Sequence, residues 1–271
     1  MRDPLLPLLP GPQDADRPWL ICYGIDERVE LTGHVLSMWL AKIAGFVTSE
    51  SVPGDGVHVA LPPHWRSVAW ACGTWLAGRS VLLGSNEEIR TAGLIPELSV
   101  AFTPESLYDE AEAQVLVPPA SLALRWPEEL PALVLDGAAD LMHYPDRFTP
   151  VSTAADSVCL TDLTSEAAAP AAPGAPGGTA PSGGRLTVLT RAQLAARIEA
   201  ADAPAGSGRH SASRAVLVRS PDTAQMLQEV LVAWRTGRTA VVLTSEAGDD
   251  VAAAAVRQED VTEWVGGSQP R

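Results

Sequence analysis

The sequence predicts an α/β fold with a mainly parallel sheet flanked by helices. Short apolar runs of strand length alternate with segments of helical spacing, the pattern of a sheet covered on both faces. Two junctions, WLAGRSVLL at 75–83 and WRTGRTAVVL at 234–243, each read as a helix, a glycine stop and a buried strand, the crossover half of a βαβ unit. Two such units converging on one solution is the simpler reading of that likeness. A chain of 271 residues, 46% hydrophobic, is long enough for one large α/β domain or two small ones.

WLICY (19–23) is an apolar strand, and a turn followed by Val29 to Leu31 makes a hairpin with it. Thr32 caps a helix carrying Leu36, Leu40, Ile43 and Val47 on one face and ending near Glu50. VHVAL (57–61) is a buried strand, closed by Pro62 and Pro63, which suit the first turn of the next helix. That helix places Val68, Cys72 and Trp75 on one face, stops at Gly78, and leads to the strand Ser80 to Leu83. Further strands are expected at 98–102, 114–117, 132–135, 157–160 and 215–219. Thr190 caps a helix, and Asp222 caps another whose Met226, Val230 and Trp234 face the core before Gly237 and the strand 239–243. The whole, 1–271, reads as a single α/β domain with a flexible N-terminus (1–17) and a low-complexity loop (165–184). The loop, SEAAAPAAPGAPGGTAPSGG, has too little apolar surface to offset the entropy of ordering it, so mobility is expected there.

A formal charge of −14 opposes nucleic acid and anionic membrane surfaces. No apolar run approaches the roughly 18 residues of a membrane span, and Pro4, Pro7 and Pro10 interrupt the N-terminal leucines. A cytoplasmic location is expected. Cys22, Cys72 and Cys159 lack CxxC spacing and read as small buried hydrophobes. His34, His58, His64, His143 and His210 form no ligand motif, so no metal is expected. No GxSxG elbow accompanies any serine, and no GxGxxG follows a strand. His64 and Trp65 follow a strand end, where ligand contacts occur in such folds, but a helix start with Trp65 packed inward explains them more simply. Asp146 and Arg147 read as a surface ion pair, Asp109, Glu110 and Glu112 as a solvated helix face, and Glu128 and Glu129 as loop surface.

Gly178 and Gly183 have the GxxxxG spacing of a phosphate loop, yet Gly184, Arg185 and Leu186 stand where a Walker loop needs Gly-Lys-Ser/Thr. The order of motifs points elsewhere. VPGDGVHVALPPHWRSVAWACGTWLAGRSVLLGS (52–85) resembles the early part of acyl-adenylate-forming (AMP-binding, acyl-CoA synthetase-like) enzymes, with their PGDRV turn, apolar strand, helix and AG-terminated turn. PWLICYGIDERVELTGHVLSMWLAKIAG is similar to their opening hairpin and first helix, and YPDRF (144–148) to a GDRF-like stretch of short bacterial relatives. ADSVCLTDLTSEA (155–167), the loop, and RLTVLTRAQL (185–194) stand where the superfamily carries its nucleotide loop.

The resemblance implies a truncated version of the N-terminal domain of such enzymes. It matches Asp156 to the aspartate before the loop strand, Thr164 and Ser165 to the loop's first Thr-Ser, Gly178 and Thr179 to the following Gly-Thr, and Leu189, Thr190 and Leu194 to the LTxxNL helix start. With Gly183, Gly184 and Arg185, these loop residues make a vestigial nucleotide site: Thr164, Ser165, Gly178, Thr179, Gly183, Gly184 and Arg185. The loop lysine is absent, and Arg185 keeps charge without the compact ammonium. Asp222, Thr223 and Ala224 occupy the neighbourhood of a histidine that the enzymes carry beside the acyl pocket. The adenine, ribose and catalytic-lysine segments implied by the family have no counterpart, and Lys42, the only lysine, lies in the first helix. Losing preorganised electrostatics of that kind removes adenylation. The expectation is therefore a non-catalytic domain with no required cofactor, binding ATP or AMP weakly if at all, and binding a small molecule or a protein partner. Two alternatives stand beside it: an acyl-activating enzyme completed by a lysine-bearing partner chain, and a structural homo-oligomer subunit with a closed pocket.

Overall fold

The computed structural model of the chain describes residues 3–14, 17–164, 186–201 and 214–261, and the backbone of 264–265. The hairpin β1 (Pro18–Tyr23) and β2 (Arg28–Thr32) leads through α1 (Gly33–Glu50) to β3 (Val57–Ala60), α2 (Trp65–Leu76), β4 (Val81–Leu83), α3 (Asn86–Ala92) and β5 (Leu98–Ala101). Next come β6 (Ala113–Leu116) and β7 (Val134–Asp136), then a second hairpin, β8 (Val158–Asp162) with β9 (Thr187–Thr190). The chain finishes with α4 (Arg191–Ala201), β10 (Ala215–Val218), α5 (Thr223–Arg235), β11 (Thr239–Leu243), α6 (Asp249–Gln258) and β12 (Trp264–Val265).

The strands form two sheets. One has the order β12-β10-β11-β1-β2, the other β7-β6-β5-β3-β4-β8-β9, and only the hairpins β1–β2 and β8–β9 pair antiparallel. Helices α1 and α5 rest on the five-stranded sheet, and α2 and α4 on the seven-stranded one. These four helices share one core between the sheets, holding Trp65, Trp70, Trp75 and Trp234. On the outer face of the smaller sheet, α6 covers Ile21, Leu217 and Val241 with Ala252 and Ala255. Ile89 of α3 packs with Tyr108 and Leu163 on the outer face of the larger one.

The two helix–glycine–strand junctions belong to a longer internal repeat. The series β1-β2-α1-β3-α2-β4-α3-β5 has the same order and pairing directions as β8-β9-α4-β10-α5-β11-α6-β12. Each series lends its opening hairpin to the other's sheet: β1 pairs with β11, and β8 with β4. Both hairpins break register at the same place, between Pro18 and Leu20 and between Val158 and Leu160. The carbonyl freed at each bulge accepts an indole N–H: Trp234 Nε1 donates to Trp19 O at 2.8 Å, and Trp75 Nε1 to Cys159 O at 2.8 Å. A buried tryptophan needs that partner, so the bulge and the tryptophan satisfy each other. Gly78 and Gly237 end α2 and α5 with φ of 77° and 74°, a conformation only glycine adopts cheaply.

Several expectations need correction. Part of the N-terminus expected to be flexible is anchored: Leu5 and Leu9 are buried, and Asp3 forms an ion pair of 2.5 Å with Arg191, both enclosed. Pro62 and Pro63 precede α2 rather than opening it, because His64 is its N-cap. Asp146 pairs with Lys42 at 2.7 Å, not with Arg147, and Lys42 also donates to Tyr144 O. Residues 109–112 are loop, not helix; Asp109 pairs with Arg90, and Glu112 accepts from Val52 N. The low-complexity loop and, with it, Ser165, Gly178, Thr179, Gly183, Gly184 and Arg185 lie outside the described residues.

Candidate functional site

The carboxyl ends of β3, β4, β8, β10 and β11 converge on one side of the molecule, where open α/β sheets bind ligands. A cleft of about 610 Å³ opens there between the two sheets. Val59, Leu61 and Pro63 from the end of β3, Leu83 from β4 and Ala224 from α5 form its apolar wall. A polar limb of about 390 Å³ adjoins it, shares Thr164, Asp222 and Ala224, and adds Asp162, Thr187, Arg197 and Gln228. Of the predicted nucleotide residues, Thr164 is the one described, and it stands where the two limbs meet.

The polar groups here are held by local geometry. Asp162 Oδ1 accepts from Thr164 N at 3.0 Å and Thr164 Oγ1 at 2.6 Å, a turn that occupies the threonine hydroxyl. Asp222 Oδ1 accepts from Gln225 N at 2.8 Å and so caps α5. Thr223 Oγ1 donates to Leu61 O at 2.7 Å, tying the start of α5 to the end of β3 across the sheets. Asn86 Nδ2 donates to the carbonyls of Glu105 and Leu107, and its Oδ1 is buried without a partner among the described residues. Thr190 and Gln193 form a reciprocal cap that fixes the first turn of α4.

The described walls of the main cleft are acidic rather than basic. Glu87, Glu105 and Asp222 line its main body, and none of the described lining residues there is Lys, Arg or His. A nucleotide's phosphates need aimed donors and positive charge, and the described walls supply the opposite sign apart from Arg197 in the polar limb.

Beneath the cleft, His58 Nε2 lies 2.9 Å from Gly84 O and its Nδ1 3.0 Å from Ser99 Oγ. A carbonyl only accepts, so Nε2 carries the proton; Nδ1 then accepts from Ser99, whose oxygen in turn accepts from Tyr108 N. Burial holds the imidazole below its usual range, consistent with this neutral form. The group is structural.

One constellation escaped the sequence. Ser121 Oγ donates to Glu27 Oε1 at 2.6 Å and lies 3.4 Å from His64 Nε2, with His64 Nε2 3.7 Å from Glu27. These residues come from three distant segments, with no local signature to announce them. They do not make a nucleophilic triad. His64 Nδ1 accepts from Arg66 N at 3.1 Å, capping α2, so its proton sits on Nε2 and it cannot take one from Ser121. Burial, reinforced by Arg66, lowers the His64 pKa to about 4, so the ring is neutral at physiological pH. Trp65 Nε1 also donates to Ser121 Oγ, and the Arg66 guanidinium lies over the Trp65 ring while donating to Ser121 O. The cluster fastens the loop after β6 to the start of α2. Trp65 itself is buried, as the simpler reading of that strand end requires.

Among the described residues no three His, Cys, Asp or Glu side chains are placed to hold a metal ion, and no helix is long and apolar enough to cross a membrane.

No protein-family model matches the chain. A Mycobacterium tuberculosis protein, named for its family alone, is 36% identical over 59 residues, which are 21% of this chain and 24% of that protein. The fold matches an acyl-CoA synthetase from Brucella canis with a TM-score of 0.73 at 18% identity, over 98% of this chain and 47% of that one. An acetoacetyl-CoA synthetase from Streptomyces lividans follows at 0.71 and 16% identity, over 97% and 42%. An amide bond synthetase from Marinactinospora thermotolerans gives 0.63 and 17% identity, over 90% and 46%. The chain spans less than half the length of these solved neighbours. It has the fold of the N-terminal portion of acyl-CoA synthetases and related adenylate-forming enzymes.

Proposed function

We propose that this chain is a non-catalytic, adenylate-forming-like domain that binds a small molecule in the cleft at the strand ends and does not activate carboxylates. The observation that carries the reading is the chemistry of the cleft wall. Glu87, Glu105 and Asp222 face the space where an anionic substrate would have to sit, and Asp222 is committed to capping α5. Thr164, the first residue of the loop that the resemblance assigns to nucleotide, spends its hydroxyl on Asp162. A net charge of −14 adds a background field that repels ATP. With Cys22, Cys72 and Cys159 buried as free thiols, a reducing compartment, the cytoplasm, suits the protein.

Calorimetric titration with Mg-ATP tests the reading. The expected result is no binding tighter than about millimolar, a standard free energy of only about −4 kcal/mol. A micromolar dissociation constant lost in Thr164→Ala or Arg185→Ala would show a working phosphate loop and overturn the proposal.

A further inference from the structure

The outer wall of the cleft is made of two segments, residues 84–87 from the end of β4 into α3, and residues 105–106 after β5. His58 lies beneath both, on β3, and is fully buried. We infer that His58 is a proton-sensitive pin of this wall: the neutral ring holds the two segments in place, and protonation releases them. The pin acts whatever the cleft binds.

His58 Nε2 donates to Gly84 O at 2.9 Å, which fixes the first segment. Its Nδ1 accepts from Ser99 Oγ at 3.0 Å, and the same oxygen accepts from Tyr108 N at 2.9 Å, which fixes the second. At the rim, Asn86 joins the two by donating to Glu105 O and Leu107 O. Both ring nitrogens are thus used, and only the neutral ring suits them. A second proton would fall on Nδ1, and the Ser99 hydroxyl would lose its one acceptor among the described residues. No carboxylate bonds the ring to offset that charge. On α3, Glu88 accepts from Ser85 N and Oγ, while Arg90 pairs with Asp109 and lies over the Tyr108 ring. Glu105 and Glu110 are exposed, and Tyr108 meets the imidazole edge-on at 6.4 Å. On the flanking strands, Leu82 and Ser99 stand beside His58, and Glu97 turns to Arg79 and Gly54. Burial holds the ring below its ordinary pKa, near 6.5, so the closed wall excludes a proton that the opened wall accepts. Stability from such a group is lost as pH falls from 6.5 toward the folded value.

The fold itself does not call for a histidine here. In the other half of the repeat, Val216 of β10 pairs with Ala240 as Val57 of β3 pairs with Val81, and Ala240 and Val81 are equally spaced after Gly237 and Gly78. His58 therefore corresponds to Leu217, which is buried under α6. The titratable ring stands only in the half where it ties the cleft wall.

Amide hydrogen exchange of the full chain, corrected for intrinsic rates and followed from about pH 7.5 to about pH 5, tests the pin. Protection of the Tyr108 amide is expected to fall about tenfold per pH unit below about pH 6.5, because each opening takes up one proton. His58→Gln presents an amide hydrogen to Gly84 O and an amide oxygen to Ser99, and it does not titrate. Its Tyr108 protection is expected to stay level across the range. His58→Leu, the residue of the matching position, is expected to be level too, at lower protection throughout. In the wild-type chain, ring nitrogen shifts at about pH 6 should show neutral His58 with its proton on Nε2. A Tyr108 slope that survives in either variant, the lack of a slope in the wild-type chain, or a charged His58 ring at about pH 6 overturns the inference.

Discussion

Asp3 and Arg191 set the terms for what single residues do in this fold. Arg191 opens α4 and is wholly buried; one nitrogen holds Asp3 and another donates to Trp75 O at the end of α2. Asp3 also accepts from Leu5 N, so the N-terminal segment is bound through a buried charge. Removing that carboxylate strands a guanidinium in the core. Asp3→Ala should therefore cost about 3–5 kcal/mol in chemical denaturation, and an effect below about 1 kcal/mol would mean that the pair is not the anchor described. Nothing local in MRDPLLPLLP announces this, because the partner lies 188 residues away. A second buried acid behaves differently. Burial raises the pKa of Glu229, although Ser220 and Gln225 donate to it. A carboxyl whose folded pKa is raised favours folding below its unfolded pKa, near 4.3, and loses that contribution as pH rises through the folded value. Glu229→Gln is accordingly expected to raise the melting temperature more at pH 8 than at pH 4. An equal change at both pH values would remove titration as the cause.

At the level of elements, the internal repeat gives matched sites that differ in surroundings. Gly78 and Gly237 play the same role, but a Cβ at Gly78 would lie 2.7 Å from Val151 Cγ1, while one at Gly237 meets nothing within 4 Å. Gly237→Ala should cost about 1–2 kcal/mol from the left-handed backbone alone. Gly78→Ala should cost about 1–3 kcal/mol more from overpacking. Denaturant midpoints of the two variants decide this, and equal losses would contradict the contact. Most of these elements were legible. Thr32, Thr190 and Asp222 cap where side-chain chemistry placed them, and the strands at 57–60 and 239–243 follow their apolar runs. Two helices escaped. The Ser85–Glu88 capping box that starts α3 is present in SNEE, but the helix is only seven residues long. Alanines dominate α6, so its buried face of Ala252 and Ala255 carries little hydrophobic periodicity.

For the molecule as a whole, alternating strands and helices signalled a parallel α/β architecture but not its division into two sheets. Strand patterns reveal which residues are buried, whereas pairing depends on contacts as distant as β1 with β11. The exchange of hairpins between the two halves of the repeat is invisible for the same reason. The cleft was legible only in part: a site at the strand ends could be expected, and Asp222 was noticed, but Asn86 and Glu105 in the main body and Asp162 in the polar limb are placed there only by tertiary packing. The fold is that of adenylate-forming enzymes, and we propose that their chemistry is absent. The most direct measurement is ATP–pyrophosphate exchange by the full chain across a panel of short, medium and aromatic carboxylic acids. No exchange above a protein-free control is expected for any acid, whereas exchange that requires a particular acid and disappears in Thr164→Ala would contradict the proposal.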